Sequence, residues 1–314
     1  MIKPINIILK KCLDLKRNES VLIVTDSKLY HLAKEFFYQA TKITKKVKLA
    51  TIPIPKVNGT EPQKGIAKEM LKYDVEILIT TKSLSHTNAR IKASKKGVRI
   101  VIMPGITKQI LERTIGIDYK KLEKLHKKLA DIMDKGKKAA ITTKLGTKLV
   151  FSIKGRKAYG RDTGLFTKKG AFGNLPTGEI FIAPVEKTAN GVYIVDASFA
   201  GVGKLKNPLK LYVKNGYVNK IEGKDAKKLK NLLNPLGKKA RNIAEFGIGT
   251  NNKAMITGNI LEDEKAIGTC HIALGNNIGF GGKVSVQLHL DGIIKNPTIL
   301  IDNKKIMDNG KFLI

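Results

Sequence analysis

Between Ile260 and Asp291 the sequence gathers Glu262, Asp263, Glu264, His271, His289 and Asp291, which include two of its five histidines. In a strand, residues i and i+2 point to the same face, so His289 and Asp291 could hold one metal ion together. Two more carboxylates lie upstream, Glu179 in GNLPTGEIF and Glu245 in AEFGIG. Taken singly, a carboxylate beside glycine is commonly a turn residue, and a lone strand histidine is commonly satisfied in a core. Together they interrupt stretches that otherwise read as apolar. A buried unpaired carboxylate is costly, and metal coordination offsets that cost. With 26 acidic residues against 59 basic ones, acids placed in such stretches do not serve surface solubility. The donors are oxygens and two imidazoles without a thiolate, a set that suits Zn, Mn, Co or Fe(II). Glu179, Glu245, Glu264 and Asp291 with His271 and His289 are too many for one ion but suit two that share a bridge. Two ions about 3.5–4 Å apart can polarise a carbonyl and deliver a hydroxide.

The elements that must position these residues fall into two regimes. The first reads as strands alternating with helices: VLIVTD (Val21–Asp26), a helix in LYHLAKEFFYQATK with Ser27 as a possible cap, VKLATIPIP, a helix around 63–71, VEILITT, a helix around 87–96, and VRIVIMP. This alternation predicts a doubly wound parallel sheet. No GxGxxG or GxxxxGK[ST] occurs, so a nucleotide site is unsupported. His86 in SLSHTNAR reads as a capping and turn residue, and His31 and His126 fall in predicted helices without an evident partner. A basic helix over 118–138 carries Leu122, Leu125, Leu129 and Met133 as its apolar stripe. After it, short strands alternate with glycine turns, Asn215-Gly216 being a hairpin signal. The reading is an α/β chain: a Rossmann-like, doubly wound domain over 1–136, then an α+β metal-binding catalytic domain over 137–314.

Composition narrows the function classes. No apolar run approaches the ~18 residues that span a bilayer, and the first residues do not form a secretory signal, so a cytoplasmic protein without a membrane partner is expected. Cys12 and Cys270 do not make a disulfide framework. Cys270 precedes His271, but neighbours in a strand diverge, which favours a buried cysteine over a nucleophile. The net charge of +33 raises nucleic acid as a partner. The excess of lysine over arginine, its even spread and the scarcity of aromatic residues argue for a lysine-rich surface instead.

Four segments, GNLPTGEIFIAPVE, AEFGIGTN, the DEK…HIALG stretch and HLDG, resemble the thermophilic aminopeptidase family, also called aminopeptidase T or leucyl aminopeptidase. The resemblance covers most of residues 140–302 and rests on order and spacing. It implies a two-metal exopeptidase, a homodimer, acting on peptides, with Zn, Co or Mn. By position it implies Glu179, Glu245, Glu264, His271, His289 and Asp291 as metal ligands, with Glu262 or Asp263 as substitutes for Glu264. Glu264 is taken as the catalytic carboxylate. The sequence departs from the family where a catalytic tyrosine is expected, because Ile278 stands there. The expected function is therefore metal-dependent release of amino-terminal residues. One alternative is a mononuclear Fe(II) enzyme using His271, His289 and Asp291 alone, since ring-opening dihydroxypyridine dioxygenases look like distant relatives of the same fold. The other is a polyanion-binding protein with a vestigial metal site.

Overall fold

The computed structural model describes residues 1–160 and 163–314 and forms two compact units, Met1–Tyr119 with Asp162–Thr177, and Lys120–Arg161 with Gly178–Ile314. The chain runs α1 (Ile2–Ile7), β1 (Val21–Asp26), α2 (Tyr30–Thr41), β2 (Val47–Ile52), α3 (Lys64–Glu69), β3 (Val75–Ile79), α4 (Asn88–Lys95), β4 (Arg99–Ile102), α5 (Lys108–Thr114) and α6 (Tyr119–Lys135). There follow β5 (Lys138–Thr142), β6 (Lys148–Ser152), β7 (Phe172–Asn174), β8 (Glu179–Ile182), β9 (Asn190–Val195), β10 (Ser198–Phe199), β11 (Gly203–Lys204), β12 (Leu209–Lys214) and β13 (Tyr217–Glu222). The chain ends with α7 (Ala226–Leu233), β14 (Ile243–Gly249), α8 (Ile260–Asp263), β15 (Thr269–Gly275), β16 (His289–Lys295), β17 (Thr298–Ile301), β18 (Lys304–Asp308) and β19 (Lys311–Phe312).

The first unit carries the expected parallel sheet, in the order β2-β1-β3-β4-β7. Every residue of β1, β3 and β4 is buried, as continuous apolar runs in a parallel sheet require. Ser27 does not cap α2, whose N-cap is Leu29. The turn before it is held by Asp26, which accepts from Lys28 N at 3.1 Å and from Thr81 N at 2.6 Å. Thr87 does cap α4, accepting from Arg90 N. Glu76 of β3 is a misfit in this sheet: both carboxylate oxygens are buried without a hydrogen-bond partner among the described residues.

The second unit is built from two antiparallel sheets, β11-β10-β16-β15-β14-β8 and β13-β12-β9-β6-β5-β17-β18-β19. Their shared core takes Ile180, Ile182, Phe246, Ile248, Cys270 and Ile272 from the first sheet and Ile141, Leu149, Phe151 and Leu211 from the second. Phe151 and Phe246 meet edge to face at 5.3 Å. Helix α6 sends Leu129, Ala130 and Met133 into this core and leaves its lysines in solvent. Residue 136, expected as a boundary, falls just after α6. Contacts instead assign the helix from Lys120 onward to the second unit, because its stripe packs there. They return 162–177 to the first unit, because β7 pairs with β4. The expected strand KVSVQLHLDG starts only at His289. Before it, the Asn277 side chain pins the loop by accepting from Val284 N at 2.9 Å and donating to Glu186 at 3.2 Å.

Candidate metal centre

The six-stranded sheet of the second unit sorts its residues by the two-residue period of its strands. Ile180, Phe246, Ile248, Cys270 and Ile272 turn to the core, while their neighbours Glu179, Phe181, Glu245, Gly247 and His271 turn to the opposite face. Register completes the set. Gly247 pairs with Phe181 on one side and His271 on the other, Ala273 pairs with Asp291, and Gly275 pairs with His289. Cys270 and His271 therefore diverge, and the thiol is buried in the core with its pKa pushed up by burial.

Gly247 is where the sheet makes room for the site. A Cβ there would lie 2.0 Å from Nε2 of His271, so only glycine lets the imidazole lie across the strand. At β16, Nδ1 of His289 lies 2.8 Å from the carbonyl oxygen of Asn276 and donates to it. That bond fixes the tautomer and leaves Nε2 facing the carboxylates.

The carboxylate of Glu245 stands between the two imidazoles. Its Oε1 lies 3.2 Å from Nε2 of His271 and its Oε2 lies 3.4 Å from Nε2 of His289. Asp291 Oδ1 is 3.5 Å from Nε2 of His289, and Glu179 Oε2 is 3.5 Å from Nε2 of His271. Two groups with donor atoms within 4.8 Å of one another result, Glu179–Glu245–His271 and Glu245–His289–Asp291, sharing Glu245. Glu245, His271 and Asp291 are buried, Glu179 is partly buried, and the His289 side chain is 32 % exposed.

The charges in this nest call for a cation. Burial alone would lower the pKa of His271, but the bond to Glu245 and the charges of Glu179 and Asp291 raise it to about 9. Burial likewise opposes ionisation of His289, yet Asp291 and Glu245 raise it to about 10. Burial pushes Glu245 up, whereas Asp291 is held at about 2 by His289, His271 and Lys265 against the opposing effect of burial. Nδ1 of His271 and Oδ1 of Asp291 are buried without a hydrogen-bond partner among the described residues. Carboxylates concentrated enough to draw protons onto two imidazoles, with buried donor atoms left over, fit a bound metal ion.

Of the residues expected to be ligands, Glu179, Glu245, His271, His289 and Asp291 come together, and Glu264 reaches the cluster indirectly. Glu264 contacts Nζ of Lys265, which bonds Glu179 Oε1 at 2.9 Å on its other side. Glu264 belongs to neither group of converging donors found among the described residues. Burial, reinforced by the charge of Glu179, raises its pKa to about 8. Glu262 and Asp263 do not substitute for it. They accept backbone N–H bonds from Met255 at 3.0 Å, Thr257 at 2.7 Å and Gly258 at 2.8 Å, and so hold the preceding loop. Ile278 is 56 % exposed, and the aromatic residue beside the site is Phe280. Its ring meets His289 edge-on at 5.8 Å and Phe181 at 5.4 Å, while Phe181 stacks on Tyr159 at 5.9 Å.

Sequence reasoning missed Lys265, Gly247 and this aromatic wall. Phe181 carried a usable signal, since it lies two residues after Glu179 and so shares its face. It also missed what His126 does. That buried imidazole takes the neutral form, donating from Nδ1 to Gly160 O at 2.6 Å and accepting at Nε2 from Thr250 Oγ1 at 2.7 Å. Burial lowers its pKa, in keeping with that state.

Over residues 1–314 the sequence matches the family model of 2,5-dihydroxypyridine 5,6-dioxygenase, NicX. The chain belongs to that family. The structure resembles 2,5-dihydroxypyridine dioxygenase from Pseudomonas putida KT2440, with a TM-score of 0.83 and 18% identity over 99% of this chain and 96% of that one. It also resembles AmpT from Thermus thermophilus, with a TM-score of 0.73 and 14% identity over 100% and 98%. No curated protein sequence matches. At these identities the likenesses show a shared mixed α/β fold. The expectation of a peptide-cleaving hydrolase is thereby corrected: the dioxygenase family model spans the whole chain, and aminopeptidase T is a structural neighbour only. Hydrolase, aminopeptidase and protease give way to an oxidoreductase family. Ile278, standing where the resemblance expects a tyrosine, already marked the departure. Among the described residues, no helix is long and apolar enough to cross a membrane.

Proposed function

We propose that this protein opens a hydroxylated pyridine-type ring with dioxygen, using a single ferrous ion held by His271, His289 and Asp291. The observation that carries this reading is the match of residues 1–314 to the NicX dioxygenase family, in a chain whose two imidazoles and Asp291 surround one carboxylate. Two histidines and one carboxylate are the donor set of non-haem Fe(II) oxygenases, where the iron supplies the redox centre that dioxygen chemistry needs. The remaining work falls to the chain. Asn276 O fixes the His289 tautomer, and Gly247 clears the space for His271. Glu245, facing both Nε2 atoms and made more basic by burial, is placed to hold the proton that a ring hydroxyl gives up. Phe280 and Phe181 offer a planar ring an apolar wall beside His289 and keep water from it.

The test uses anaerobically purified protein loaded with ferrous iron and given 2,5-dihydroxypyridine. Oxygen uptake should match loss of the ring's ultraviolet absorbance mole for mole, and His289→Ala and Asp291→Ala should abolish both. Iron-loaded protein that takes up no oxygen with this or related hydroxypyridines overturns the reading.

A further inference from the structure

A second set of donors, Glu179, Glu245 and His271, shares His271 with the proposed iron ligands and is close enough to surround a cation. A cation already sits against it. Lys265 has a side chain only 1 % exposed, and its Nζ lies 2.9 Å from Glu179 Oε1 while contacting Glu264 on the other side. Its position is built by the backbone: Lys265 N donates to Glu262 O at 3.0 Å, and Lys265 O accepts from Asn251 N at 2.8 Å. The adjoining Ala266 forms a parallel bridge with Asn251. An ammonium taken out of water is strongly penalised unless paired. Here two carboxylates pair it, and they hold it charged against that burial.

We propose that the Lys265 ammonium is a resident cation that occupies the charge-neutralising place of a second metal ion and thereby limits the centre to one. Glu179 can turn one oxygen to His271 and the other to Lys265, as it does here, but it cannot serve a divalent ion fully while an ammonium holds it. A second ion would also lie next to a fixed positive charge. The inference rests on reading this cluster as a metal centre, so its test is the difference between two proteins and not the count in one.

Apoprotein of the full chain and its Lys265→Met variant are titrated with Zn²⁺, freed of excess metal by gel filtration and analysed for metal per chain. The variant should hold one equivalent more than the wild type, and adding Glu179→Gln to it should return the count to the wild-type value. Its melting temperature should also rise more with Zn²⁺ than that of the wild type, since an ion that binds only the folded chain stabilises it. If the methionine variant is insoluble, the same gain is read in Lys265→Gln, which keeps a donor between the two carboxylates. A folded variant with no extra equivalent overturns the proposal, as does a wild type that already holds two. A wild type that holds none overturns the metal-centre reading, and the proposal is then still decided by whether the variant gains an ion.

Discussion

At the scale of single residues, the site depends on what is small as much as on what is charged. Gly247 lies in β14 between Phe181 and His271, and the imidazole occupies the volume a methyl group would need. Among glycines in this region, Gly275 has a positive φ of 106°, whereas Gly247 has no positive φ, so its role is clearance and not backbone freedom. Gly247→Ala should therefore fold, with an unchanged far-ultraviolet circular dichroism spectrum, yet push the His271 ring out of line. Metal affinity should fall about 10–100-fold, the range seen when the support of a ligand is disturbed. A chelator-competition titration measures it, and wild-type affinity would refute the clearance argument. The ligand types could be read from the sequence because His289 and Asp291 share a strand face. Lys265 could not, because a lysine following Glu262, Asp263 and Glu264 looks solvated until the fold buries it. Nor does residue type separate an oxidoreductase from a hydrolase; the match of the whole chain to one family corrected that expectation.

At the scale of elements, the parallel strands were legible because burial on both faces writes itself as an unbroken apolar run. β1 was read at Val21–Asp26 and forms there. The loop before β16 was not, because Val284, Val286 and Leu288 alternate like a strand. Its path is set by Asn277 and by Gly282, whose Cβ would lie 1.9 Å from Asn277 Cγ. Glu76 is the other departure from pattern. In β3 it pairs in register with Leu22 and Ile100 and shares a face with Leu78, all three part of one apolar cluster. Burial raises its pKa well above the ordinary carboxyl value, so the folded state keeps a proton that the unfolded chain releases near pH ~4.3. Because the folded state binds more protons, stability should fall as pH rises from there toward the raised folded pKa. Glu76→Leu removes the unpaired group and should stabilise the protein by about 1–3 kcal/mol at neutral pH. The gain should shrink below pH ~4. Urea unfolding of both proteins at several pH values gives the difference, and a gain that does not vary with pH would refute a protonated Glu76.

At the scale of the whole molecule, the chain forms two compact units and crosses between them more than once. It leaves the first unit at Lys120, returns over 162–177 to add β7 beside β4, and leaves again at Gly178. Periodicity cannot reveal that return, because β7 is three residues long and lies far in sequence from its partner. The consequence is a choice between two fragments. One beginning at residue 137 lacks α6, and with it Leu129, Ala130 and Met133 from the core of the second unit. It also loses His126, whose ring joins Gly160 to Thr250. Those atoms in turn border the site: Tyr159 exchanges backbone bonds with Phe181, and Thr250 N donates to Gly178 O at 2.7 Å, one residue before Glu179. The loss of buried Leu and Met side chains alone costs about 2–5 kcal/mol each, and two such losses take most of the stability of an ordinary domain. The fragment 137–314 should thus be insoluble or unfolded. A fragment 120–314 with 162–177 replaced by a short glycine-serine linker keeps the helix, the histidine brace and all five converging ligands. It should melt cooperatively and bind a divalent ion, as read by thermal unfolding with and without Zn²⁺. If the shorter fragment folds and binds the ion as well as the longer one, α6 is not part of the scaffold that holds the site.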